Sequence, residues 1–69
     1  MMLKNYMLII FKPGECCRSM TNSPPLQRAL ELHGKDNTIT EMEVYKYLSV
    51  LKDYKYLCTI KFDRGLLNG

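Results

Sequence analysis

The sequence has no apolar run long enough to cross a bilayer. Its most apolar stretch, Met7-Leu8-Ile9-Ile10-Phe11, stops at Lys12-Pro13-Gly14, whereas a spanning helix needs about 20 such residues. It also lacks the longer apolar core and small-residue cleavage site of a secretory signal. Both absences point to a soluble, cytoplasmic chain with no membrane partner. Cysteine is scarce and badly spaced for bridging. Cys16 and Cys17 are adjacent and Cys58 stands alone, so no paired framework exists. Neighbouring cysteines would close a strained ring. Free thiols in a reducing compartment are the preferred reading, with a bridge from one of the pair to Cys58 as the alternative. The redox spacing C-x-x-C is missing, because nothing separates Cys16 from Cys17.

Glycine and histidine are equally sparse. None of the four glycines falls in a Gly-x-x-x-x-Gly-Lys or Gly-x-Gly-x-x-Gly loop, so a phosphate cradle has no support. His33 is the only histidine. A nucleophile–base pair would require Cys16 or Cys17 to meet it, with a third group to orient the ring. Structural zinc wants four ligands in paired spacing. Cys16, Cys17, His33 and Cys58 make four, but adjacent cysteines point apart on an extended segment. No spaced carboxylate pair stands out as acid and base. The expectation is a non-enzyme with no catalytic residue, no cofactor and no metal.

What is present suits a small folded domain. The chain has 69 residues, 46% of them hydrophobic and 25% charged, which is ordinary for globular proteins. One domain over residues 1–69 is expected, with 65–69 as a frayed tail. Such a chain buries roughly 60% of its unfolded surface, a marginal core, so a homodimer or another partner is a natural support. Net charge is +3. That permits an acidic partner without the dense basic cluster of nucleic-acid modules.

Tyr6 to Phe11 reads as a strand covered on both faces. Lys12-Pro13-Gly14-Glu15 has the type II turn signature, and 16–21 is either a short second strand or a loop. Ser23 is a good cap for a helix from Pro24 to His33, with Leu26, Ala29, Leu30 and His33 as its stripe and Gly34 as its stop. Thr40 and Glu43 form a capping box, and Ile39 and Val44 a hydrophobic staple. Together they predict a second helix from Glu41 to about Leu51. Tyr54 to Phe62 alternates as a half-buried strand, with Tyr56, Cys58, Ile60 and Phe62 on one face. The predicted fold is α+β: two consecutive helices packed on a two- or three-stranded sheet in which the first and last strands are neighbours. A sheet this small leaves an edge open to strand addition.

Residues 39–48 resemble the positioning helix of helix-turn-helix regulators, which implies a small DNA- or RNA-binding regulator. A recognition helix should then follow, but the residues after Leu51 read as a strand. Tyr45, Lys46, Lys52, Tyr54 and Lys55 cluster at the second helix and the turn beyond it. Tyrosine gives large contact area and is enriched at interfaces, and the same mixture can stack bases and hold phosphates. The function expected is a binding module, an inhibitor or adaptor that occupies a surface of a partner protein, of the compact kind that viruses and mobile elements often encode. A nucleic-acid regulator using the same residues is the alternative.

Overall fold

A computed structural model describes residues 3–62. In chain order the elements are β1 (Tyr6–Lys12), β2 (Glu15–Thr21), α1 (Pro25–Lys35), β3 (Glu41–Leu48) and β4 (Asp53–Lys61). The strands form one antiparallel sheet in the order β2-β1-β3-β4. Four strands and one helix replace the predicted two helices on a smaller sheet. β1 pairs with β2 and β3, so it and β4 are not neighbours. The possible tail at 65–69 lies outside the described residues.

The turn between β1 and β2 follows its sequence signature, and it closes a tight hairpin although type II is not the favoured turn for one. Lys12 is paired with Glu15, and Gly14 takes φ +80, the left-handed value that a type II turn demands at its third position. A two-residue connection therefore closes 16–21 into a full strand. Leu8 and Ile10 of β1 point to one face and meet Val44 and Met42 of β3 directly across the ladder. Ala29 of α1 and Ile39 complete a core of six buried hydrophobic residues, with Tyr6, Leu32, Ile60 and Phe62 packed against it. The helix covers this face alone, so the expectation that β1 is covered on both faces fails: Met7, Ile9 and Phe11 point the other way.

The predicted second helix is β3. Its start signals are real side chains put to other uses. Thr40 donates its backbone N–H (2.9 Å) and its hydroxyl (3.2 Å) to the Phe11 carbonyl, and Glu43 accepts the Tyr45 hydroxyl at 3.1 Å. Ile39 sinks into the core instead of stapling a helix. The competing signal is period two: Met42 and Val44 on the core face, Glu41, Glu43, Tyr45 and Tyr47 on the other, in a segment rich in β-branched and aromatic residues. Pairing with β1 and β4 supplies backbone partners on both sides. An 11-residue helix would be marginal without tertiary support.

α1 is shifted by one residue from its predicted start. Pro24 is the N-cap and Pro25 the first helical residue, with no side-chain cap bond. Ser23 instead donates its N–H to the Thr21 hydroxyl at 3.0 Å. The helix runs through Gly34, ends at Lys35, and passes into an extended Asp36. The packed stripe is Ala29, Leu32 and His33, with Leu26 and Leu30 facing outward. His33 stacks flat on Phe62, centroids 4.1 Å apart.

Asp36 fastens the end of α1 to the sheet. Its carboxylate accepts the Thr38 hydroxyl and N–H and the Lys12 ammonium, the last at 2.9 Å. These contacts, the Thr38 hydroxyl first, pull the carboxyl down to about 2 and raise the Lys12 ammonium. A folded-state value below the unfolded one stabilises above about pH 4, and that contribution is lost as pH falls toward 2. Asp36→Asn should therefore flatten part of the acid limb of a thermal-unfolding profile over this window while leaving the shape near neutral pH unchanged. In the core, Leu8→Ala should cost about 2–5 kcal/mol in urea unfolding, whereas Leu30→Ala, on the outer side of α1, should stay within about 0.5 kcal/mol.

Candidate functional site: the uncovered sheet face

Residues opposite each other in an antiparallel ladder share a face, so the register assigns the far face row by row. Cys16, Phe11, Glu41 and Lys61 form one row, then Arg18, Ile9, Glu43 and Thr59, then Met20, Met7, Tyr45 and Tyr56. Tyr47 and Tyr54 close the series at the end of β3 and the start of β4. No described element packs on this face. It grades from charged at one end to aromatic at the other.

The tyrosines arise from two different sequence features. Tyr45 and Tyr47 are two apart on a regular strand. Tyr54 and Tyr56 join them because β4 carries a bulge: Tyr45 pairs with Tyr56 but Val44 with Cys58, which leaves Leu57 without a partner. The extra residue interrupts the alternation. The predicted single face of Tyr56, Cys58, Ile60 and Phe62 is thus divided. Tyr56 goes to the uncovered face, and Cys58 and Ile60 go to the helix face, where Ile60 packs on the core beside Phe62.

Each cross-strand tyrosine pair meets edge to face. The Tyr45 and Tyr56 rings lie 5.7 Å apart at 75°, and those of Tyr47 and Tyr54 5.3 Å apart at 63°. Such pairs contribute about 0.5–1.5 kcal/mol beyond area burial. Three of the four hydroxyls are held within the chain. Tyr54 donates to the Lys4 carbonyl at 2.7 Å, Tyr45 donates to Glu43, and Tyr56 shares a hydrogen bond with the Thr59 hydroxyl. The Glu43 carboxylate, joined by burial, raises the Tyr45 phenol above its usual value. These bonds tie three of the four rings to the chain, and Tyr56 keeps 52% of its surface exposed.

The predicted contact set is therefore split. Tyr45 and Tyr54 stand on the uncovered face. Lys46 and Lys55 are directly opposite each other on the helix face, and both are exposed. Lys52 sits at the hairpin tip with φ 54, beside Val50, which is 92% exposed. Like charges facing each other across a ladder are destabilising, and among the described residues no carboxylate forms a salt bridge to Lys46 or Lys55. Tyr47 and Tyr56 lie outside the predicted contact set, yet they share the uncovered face with Tyr45 and Tyr54. A strand reading of 41–48 would have put Tyr47 beside Tyr45, but the bulge that brings Tyr56 across leaves no mark in residue type.

The thiols do not converge. Cys16 and Cys17 lie on β2 and Cys58 on β4, at opposite edges of the sheet. Three strand spacings amount to about 14 Å, beyond the roughly 7 Å limit for a disulfide. The bridge to Cys58 is excluded, and all three are free and exposed. Among the described residues no cluster of metal-binding side chains forms, no cavity opens, and no helix is long and apolar enough to cross a membrane. Comparison with protein-family models, curated proteins and solved structures finds no match.

Bulge geometry makes a direct prediction. Deleting Leu57 should remove the bulge and restore simple alternation with Tyr56 still opposite Tyr45 and Cys58 still opposite Val44, so that every side chain keeps its face. The expected result is retained cooperative unfolding in urea, as for Leu57→Ser, which keeps the extra residue and should change stability by less than about 1 kcal/mol; loss of cooperativity on deletion would show that the register is not as described.

Proposed function

We propose that this protein is a non-enzymatic binding module that occupies a surface of a partner protein, as an inhibitor or adaptor, through the β3–β4 hairpin. The observation that carries this is the packed tyrosine quartet on a sheet face covered by no described element. The apolar side chains Met7, Ile9 and Phe11 extend the same surface. Large, pre-ordered aromatic rings lose little entropy on binding and are the residue type most enriched among energetically dominant contacts.

The charge on this face favours protein over nucleic acid. Arg18 and Lys61 are balanced by Glu41 and Glu43, two against two. A base-stacking platform for single strands combines aromatics with a positive groove along the backbone, and here two carboxylates share the face. The lysines lie elsewhere, at Lys46, Lys52 and Lys55 around the far side and tip of the same hairpin. An acidic rim on the partner would relieve the Lys46–Lys55 repulsion and raise the association rate. A cytoplasmic setting, with its thiols reduced, fits this role.

Affinity capture from lysate with and without nuclease, followed by a salt titration, tests the proposal. Capture should survive nuclease and fall at least tenfold in Tyr45→Ala/Tyr56→Ala, with the far-ultraviolet circular dichroism retained. Lys46→Ala/Lys55→Ala should weaken capture through the association rate and flatten its salt dependence, while making the free protein slightly more stable. Undiminished capture by the tyrosine variant overturns the proposal. Loss of capture on nuclease treatment would transfer the site to the nucleic-acid class.

A further inference from the structure

The two edges of the sheet are not equivalent. β4 is guarded. It carries the Leu57 bulge, and Lys55 and Lys61 lie along it. Bulges and lysines are the devices by which natural sheets block edge pairing. β2 has neither. Its seven residues, Glu15–Thr21, contain no proline or lysine and pair with β1 without a register shift. Glu15, Cys16, Cys17 and Arg18 are all exposed, whereas Ser19 is half-buried, Met20 exposed and Thr21 buried. The continuous exposed stretch of the strand is thus Glu15–Arg18.

We propose that β2 is a strand-addition edge whose occupant is β2 of a second copy, paired antiparallel about Cys17. Three observations select a second copy. First, one bare edge and one guarded edge allow β2 to meet β2 but disfavour β2 meeting β4, so association closes at two subunits rather than running on as a filament. Second, a two-fold axis perpendicular to the sheet restricts pairing to registers that place residues of the same face opposite each other. Centring on Arg18 would set two guanidinium groups against each other. Centring on Cys17 sets Cys17 opposite Cys17, Cys16 opposite Arg18 and Glu15 opposite Ser19, so no like charges meet. Third, this register uses the continuous exposed stretch of β2 and leaves Thr21, at the approach to α1, outside the pairing. The result is a continuous eight-stranded sheet with both helices on one side and both tyrosine faces on the other.

Opposed residues in an antiparallel pair lie with Cα atoms about 4.5–5.5 Å apart, inside the range that a disulfide spans, so Cys17 is a built-in reporter. Sedimentation equilibrium of the full chain under reducing conditions should show a dimer. Cys17→Lys, which installs the missing guard at an exposed position, should be monomeric with unchanged circular dichroism. Under mild oxidation with diamide, Cys16→Ser/Cys58→Ser, retaining only Cys17, should form a covalent dimer. Cys16→Ser/Cys17→Ser, retaining only Cys58, should not. A wild-type chain that stays monomeric at every concentration overturns the proposal, as does a dimer that survives Cys17→Lys or a Cys58-only variant that crosslinks as readily. The outcome is separable from partner binding, because Cys17→Lys leaves the tyrosine face intact and should retain capture.

Discussion

One helix cannot cover two faces of a sheet, and most of this molecule follows from that constraint. Among the described residues, Leu8 against Val44 and Ile10 against Met42 form the one buried cross-strand layer, and Ala29 lets α1 lie close to it. Hydrophobic burial is proportional to area removed from water, so this layer carries most of the stabilisation that the described residues can supply. Because antiparallel ladders fix side chains to faces, seating these four residues under α1 simultaneously commits Met7, Ile9, Phe11, Tyr45 and Tyr47 to the opposite side. The aromatic face left uncovered by α1 is the geometric complement of the core.

That coupling limits how the sequence can be read. β1 was legible as a strand because its apolar run is bounded by a strong turn, and Gly14 does what the turn chemistry requires. Tyr6–Phe11 was nevertheless taken to be covered twice, since composition alone cannot distinguish a second packing layer from an apolar surface held for a partner. The helix at Pro25–Lys35 was legible from its prolines, with an offset of one residue at the start because Pro24 rather than Ser23 occupies the cap, but its predicted stripe held only at Ala29 and His33 and it ran through the predicted stop at Gly34. The segment 41–51 misled for a physical reason. Capping signals are local, and a residue such as Thr40 that can cap a helix can equally close a ladder onto the Phe11 carbonyl. Strand pairing depends on residues thirty positions away, and period two wins once those partners exist.

The candidate site was legible to a similar extent. Tyrosine and lysine were singled out together, and a helix would have placed Tyr45 and Lys46 on one continuous surface. On a strand, adjacent residues face opposite ways, so Lys46 parts from Tyr45 and Lys55 from Tyr54. The bulge at Leu57 then adds Tyr56 to the aromatic face. Residue types identified the chemistry of the surface, while the secondary structure decided which of those residues act together.

The division has a consequence for how binding energy and specificity are distributed. Aromatic contact on one face is insensitive to salt, whereas the lysines on the other act over a Debye length of about 8–10 Å at moderate ionic strength. A partner contacting only the sheet face would feel the lysines weakly. One that wraps the hairpin tip at Val50 and Lys52 would feel both. The unrelieved Lys46–Lys55 pair favours the second arrangement, because a sequence selected for stability alone has no reason to keep two like charges opposed when replacing either would remove the repulsion. On the proposed function the hairpin is a two-sided element, with tyrosines to supply contact area and lysines to select an acidic surface beside it.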